Sequence, residues 1–155
     1  MLVSEILRIK GTTLFTTTPE GAVTDAVRVM AEHDIGSLVV MDHGRLAGML
    51  TFREVLDALA KRDGALGNVR IEEIYERAPL TVAPNLDVME LRRMMLERHA
   101  RYVPVMDGMT LQGVVSLHDV AKAVYEEQNF ENRMLRSYIG SSSEDEEQGR
   151  PRGGP

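Results

Sequence analysis

The chain has no cysteine among its 155 residues, which excludes disulfides, thiolate metal sites and a thiol nucleophile. Long apolar runs are missing too. None approaches the roughly 18 residues of a membrane span. The opening Met1-Leu2-Val3-Ser4-Glu5-Ile6-Leu7-Arg8 lacks the basic start and apolar core of a leader, so a cytoplasmic protein without membrane partners is expected. Positive charge is in deficit: 18 Lys and Arg stand against 24 Asp and Glu, a net charge of −6. Of this, Ser141–Pro155 supplies −2, from four acids and two arginines. A protein that grips nucleic acid through its phosphates needs a basic surface, and none is visible. The four histidines, His33, His43, His99 and His118, share no i, i+4 ligand spacing, and no acid completes a metal-type set, so no metal site is expected. Ser116 and His118 stand two apart, an arrangement that points helical side chains away from each other and argues against direct activation of the hydroxyl.

What the sequence does contain is a repeat. Leu111-Gln112-Gly113-Val114-Val115-Ser116-Leu117-His118-Asp119 runs an apolar strand into a hydroxyl residue and, three positions on, a carboxylate. That spacing suits a helix N-terminus, with Ser116 as N-cap and Asp119 at the third helical position. Leu46-Ala47-Gly48-Met49-Leu50-Thr51-Phe52-Arg53-Glu54 reads in the same register 65 residues upstream. Pro19 to Leu59 aligns with Pro84 to Val124 without a gap, with Val23/Val88, Met30/Met95, Val40/Val105, Asp42/Asp107, Gly48/Gly113 and Val55/Val120 among the identical pairs.

Composition is that of an ordinary globular chain, 43% hydrophobic and 27% charged. Halves of about 65 residues would be marginal alone, so one domain with a shared core is expected. Leu2, Ile6, Leu7 and Ile9 predict an N-terminal helix ended by Gly11. Leu14–Thr17 and Leu80–Pro84 read as short strands stopped by proline. Amphipathic helices follow near 22–34 and 87–99. Then come two hairpins, Ser37–Met41 with Leu46–Leu50 and Tyr102–Met106 with Leu111–Val115. A closing helix ends each repeat, Phe52–Ala60 and Leu117 onward to about Ile139. Asp63–Asn68 is the linker, and Ile71–Arg77 reads as a short helix. The ten methionines fall mostly at core spacings. From 141 to 155 the composition is too poor in apolar residues to offset the entropy of ordering, and a disordered tail is expected.

This doubled unit, with Gly-h-h-Thr/Ser-x-x-Asp/Glu entering the last helix, resembles the cystathionine-β-synthase (CBS) domain pair, or Bateman module, over about residues 1–140. The short flanks make it similar to stand-alone bacterial CBS-pair proteins. The resemblance implies an α/β (α+β) fold of two tandem repeats, about 11–62 and 71–139. Each would be strand-helix-strand-strand-helix, and pseudo-twofold symmetry would relate them. It also implies two clefts between the repeats that bind adenosine derivatives such as AMP, ADP or ATP, with no cofactor required. In one cleft Asp119 would hold a ribose and Ser116 would contact ribose or phosphate, with adenine near Thr16 and Ile35-Gly36-Ser37-Leu38. In the other, Thr51 and Glu54 would work with Thr81 and Ala100-Arg101-Tyr102-Val103-Pro104. Glu54 stands where the family usually has Asp, and Val39 where it often has the Pro seen at 104, so the Asp119 cleft is expected to be the better one. A fixed carboxylate suits a diol, and a helix N-terminus suits phosphate.

Other residues keep two readings. Arg53 and His118 are phosphate contacts or solvated helix-end side chains. Arg98, His99 and Arg101 are a phosphate-binding cluster or a basic helix C-cap. Tyr102 stacks on a base or fills the core. The leading function is a regulatory module that senses an adenine nucleotide and signals to a partner; the alternatives are a ligand-free dimerisation module and, third, an enzyme, for which no nucleophile, base and metal set is evident. A homodimer is expected through Phe52–Ala60 and Leu117–Val124, whose Val55, Leu56, Leu59, Val120, Ala121 and Val124 offer apolar surface.

Overall fold

In the computed structural model, which describes residues 1–11 and 13–148, the 65-residue offset becomes two copies of one small fold. Helix α1 (Val3–Lys10) comes first. Repeat one is β1 (Thr16–Thr17), α2 (Val23–His33), β2 (Ser37–Asp42), β3 (Arg45–Thr51) and α3 (Phe52–Lys61). A 3-10 turn at Ile71–Glu73 leads into α4 (Val88–Arg98), β4 (Tyr102–Asp107), β5 (Thr110–Ser116) and α5 (Leu117–Gln148). The family-like mixed α/β architecture expected from the sequence is thus present, with two repeats.

The copies match in detail. Antiparallel β2 and β3 slip register between Val40 and Met41, and β4 and β5 slip between Val105 and Met106, the equivalent step. Asp34 and His99, also 65 apart, both end their helices in the left-handed conformation, at φ of 50° and 53°. One difference has a simple cause. In repeat one, β1 pairs in parallel with β2, and the Val39 N–H donates to the Phe15 carbonyl at 3.0 Å. Pro104 occupies the position equivalent to Val39 and has no N–H to give. The expected strand over Leu80–Pro84 accordingly shrinks to a single bridge, Val82 to Val105.

The leading segments are exchanged. Helix α1 docks on repeat two, with Val3 and Ser4 N–H groups donating to the Leu86 and Pro84 carbonyls at 2.9 Å. The segment before repeat two docks on repeat one, with Ile71 N–H donating to the Gly21 carbonyl at 2.9 Å. Ile6 and Ile71, again 65 apart, are both buried. The helix expected over Ile71–Arg77 stops at Glu73 because Glu76 must run extended to exchange two hydrogen bonds with Met49, at 2.8 and 3.0 Å.

Val23, Ala26, Met30, Leu38, Val40, Leu50 and Val55 form the core of repeat one, completed by Val69 and Ile71 from the linker. Val39 points to the opposite face from Leu38 and Val40 yet is only 1% exposed, so β2 is covered on both faces. On the second face β3 approaches β5.

Two compact units are distinguished, one over Met1–Val120 and one from Ala121 onward, the latter comprising the rest of α5. The helix runs past Ile139 to Gln148, so residues 141–148 of the expected tail are helical, while 149–155 lie outside the described residues. Extending an established helix needs no new nucleus, and Glu and Gln are good helix formers, so poverty in apolar residues does not stop it. Among the described residues no helix is long and apolar enough to cross a membrane.

Candidate ligand-binding site

Each repeat delivers its hydroxyl and acid to the start of a helix, and both pairs close as capping boxes. Ser116 N–H donates to Asp119 Oδ2 at 2.8 Å, and Asp119 N–H donates to Ser116 Oγ at 3.0 Å. Thr51 N–H donates to Glu54 Oε1 at 2.9 Å, the Thr51 hydroxyl donates to both carboxylate oxygens, and Arg53 N–H donates to Thr51 Oγ1 at 3.3 Å.

The two carboxylates then part company. Lys10, at the end of α1, places Nζ 2.7 Å from Asp119 Oδ2 and also donates to the Val114 carbonyl at 2.9 Å. Burial alone would push the Asp119 carboxyl up, but the Lys10 ammonium and the Ser116 N–H outweigh it and hold the group below its ordinary value. Among the described residues no cation pairs with Glu54. Burial dominates there, over the opposing hydrogen bonds from Thr51, and its carboxyl is pushed up.

A cavity of about 850 Å³ opens beside Glu54, within the size range of small-molecule sites. The β3–α3 junction of repeat one forms one wall, with Thr51, Phe52, Arg53 and Glu54, and the α4–β4 turn of repeat two forms another, with Arg98, His99, Ala100, Arg101 and Tyr102. The stretch Ala78-Pro79-Leu80, together with Met49, Met95, Leu56 and Leu96, adds apolar lining. The Arg101 guanidinium stacks over the Phe52 ring at 5.1 Å, and Phe52 meets Tyr102 edge-on at 6.3 Å between centroids. Burial pushes the Tyr102 hydroxyl up, with Arg101 partly opposing it. Tyr102 also packs so closely on Gly36 that a Cβ there would collide with its hydroxyl oxygen. Apolar walls for a flat ring, three arginines (Arg53, Arg98 and Arg101) for an anion and three acids (Glu54, Asp57 and Glu76) for hydroxyls thus line one space.

Of the residues singled out from sequence as ligand contacts, Thr51, Arg53, Glu54, Arg98, His99, Ala100, Arg101 and Tyr102 line this cavity. Thr81, exposed beside Leu80, does not, and neither do Val103 and Pro104, which are buried in β4. On the other side Ser116 and Asp119 are half-buried and His118 is exposed; Thr16 is exposed, Ile35, Gly36 and Ser37 are half-buried, and Leu38 belongs to the core. This cavity lies on the Glu54 side of the two expected clefts. Phe52 and the 78–80 stretch had no sequence signal beyond the repeat itself, since Leu80 is the 65-residue counterpart of Phe15. The Lys10 contact spans 109 positions and had none.

The family model described as CBS domain matches twice, at residues 3–61 and 71–126. The chain is 31% identical over 147 residues to the CBS domain-containing protein CBSX3, mitochondrial, of Arabidopsis thaliana, covering 88% of this chain and 71% of that one. Among solved structures it is similar to the CBS-domain containing protein ATU1752 from Agrobacterium tumefaciens, with a TM-score of 0.75 and 28% identity over 79% of this chain and 98% of that one. It is also similar to the CBS domain pair of protein MJ0100 in complex with 5'-methylthioadenosine and S-adenosyl-L-methionine, with a TM-score of 0.72 and 26% identity over 82% and 98%.

Proposed function

The chain belongs to the CBS-domain family, and on that premise we propose that it is a regulatory module that binds an adenosine nucleotide in the Glu54 cavity and passes its ligand state to a partner protein. The observation that carries the reading is that Arg53, Arg98 and Arg101 line a cavity whose other walls are apolar side chains, the acids Glu54, Asp57 and Glu76, and the start of α3. Guanidinium groups recognise phosphate through charge-assisted, often paired hydrogen bonds. The MJ0100 pair, in complex with 5'-methylthioadenosine and S-adenosyl-L-methionine, supports an adenosyl group as the common element. The three arginines favour its phosphorylated forms here. No catalytic residue is part of the proposal, and a second copy of the chain is its proposed structural partner.

Titration calorimetry with AMP, ATP and S-adenosyl-L-methionine tests it. Arg101→Ala should weaken AMP binding about tenfold to a hundredfold, the equivalent of about 1.5–3 kcal/mol for a charged hydrogen bond. Its effect on S-adenosyl-L-methionine should be small. A wild-type protein that neither binds any of the three nor gains thermal stability with them would favour the ligand-free dimerisation module instead.

A further inference from the structure

The two repeats carry equivalent motifs, yet among the described residues only Asp119 of the two acids has an ion-pair partner. Lys10 Nζ stands 2.7 Å from Asp119 Oδ2, and the same oxygen already accepts the Ser116 N–H at 2.8 Å. The ammonium is further held by the Val114 carbonyl at 2.9 Å. A ligand diol that needs both oxygens of this carboxylate must displace the charge-assisted hydrogen bond on Oδ2 and leave the ammonium with the Val114 carbonyl alone.

Among the described residues, repeat one has no counterpart to this contact. The position equivalent to Lys10 is Tyr75, whose hydroxyl accepts from Arg77 at 3.1 Å. The carbonyl equivalent to that of Val114 belongs to Met49, and it accepts the backbone N–H of Glu76 at 2.8 Å. No ammonium is therefore delivered to Glu54. The asymmetry is written into the exchanged leading segments, a lysine ending α1 and an extended backbone strand at Glu76.

We propose that Lys10 is an intramolecular plug that occupies the hydroxyl-binding carboxylate of the second repeat, so that the chain presents one ligand site rather than two. The Lys10 side chain is 38% exposed against 18% for Asp119, so the plug is reachable from solvent while the carboxylate is shielded behind it. The sequence alone ranks the cleft by its aspartate. The structure ranks it by what already sits on that aspartate.

The proposal rests on the adenosine-ligand reading for the role of Asp119 toward a ligand hydroxyl and for AMP as the probe. Titration calorimetry of the full chain with AMP should give one site for wild type, two for Lys10→Met, one for Lys10→Arg, which keeps the charge, and one for the double variant Lys10→Met with Asp119→Ala. Lys10→Gln, which keeps a donor for the Val114 carbonyl, repeats the gain should Lys10→Met fold poorly by circular dichroism. Wild type with no site and Lys10→Met with one would uphold the plug while overturning the Glu54 cavity as the ligand site. Equal site numbers for wild type, Lys10→Met and Lys10→Gln would overturn the plug, whether that number is zero, one or two.

Discussion

Asp119 and Glu54 hold equivalent positions and have carboxyls shifted in opposite directions, which gives them opposite effects on stability. Stability rises with pH wherever the unfolded chain binds more protons. Asp119, held low, releases its proton more readily when folded, so its contribution is present above its ordinary value of 3.8 and is lost as pH falls through the folded value. Glu54, pushed up, keeps its proton longer when folded, so stability falls as pH rises from its ordinary value of 4.5 through the folded one. Asp119→Asn at neutral pH removes the ion pair with Lys10 and weakens a cap, a loss of about 1–2 kcal/mol. The expected result is a thermal midpoint a few degrees lower at pH 7, with the difference from wild type shrinking below pH 4. Glu54→Gln keeps an acceptor for Thr51 and removes a desolvated charge, so its midpoint at pH 7 should equal or exceed that of wild type. Thermal melts from pH 3 to 8 on the three proteins check both. A lower midpoint for Glu54→Gln at pH 7 would show that the charge stabilises its cap after all.

At the scale of elements, the equivalent glycines Gly48 and Gly113 separate a rigid contact from a soft one. A Cβ on Gly48 would collide with the Glu76 carbonyl oxygen, which is held by its hydrogen bond from Met49 N–H, so the exchanged segment would have to move as backbone. On Gly113 the nearest atom is Leu7 Cδ2 at 2.9 Å, the end of a side chain that can turn away. Gly48→Ala is expected to cost about 2–3 kcal/mol and Gly113→Ala under about 1 kcal/mol, read from denaturant midpoints. Costs of equal size would mean that the Glu76 segment yields as easily as a leucine. Such pairs also mark what the sequence could and could not reveal. Identical or similar residues 65 apart located both hairpins, both amphipathic helices and both capping boxes, because these are local patterns. The exchange of α1 and Ile71 between repeats was not visible, since nothing near Lys10 encodes a partner 109 positions away. Pro104 is legible in the same local way: a missing N–H at the Val39 position implies that the second repeat loses most of its first strand.

At the scale of the whole molecule, self-association has to be argued from surface that is still available. The apolar residues that suggested a dimer through α3 and the start of α5 are partly spent: Val55 and Val120 are in the core, and Leu56, 58% exposed, lines the cavity. Sequence periodicity showed correctly that these helices are amphipathic but could not tell an inward stripe from an outward one. Further along α5, Phe130 and Met134 are 64% and 59% exposed and stand four positions apart, hence on one helical face, with Tyr125 and Leu135 also exposed. Large apolar side chains grouped in this way mark interfaces more often than they mark free surface. A dimer that buries this face should form at micromolar protein. Light scattering is expected to give twice the chain mass for wild type and the single-chain mass for Phe130→Glu combined with Met134→Glu. Because the cavity residues all precede Val120, the double variant should still bind AMP as wild type does. A monomeric wild type would remove the dimer, and loss of AMP binding in the double variant would show that the ligand site depends on the assembled state.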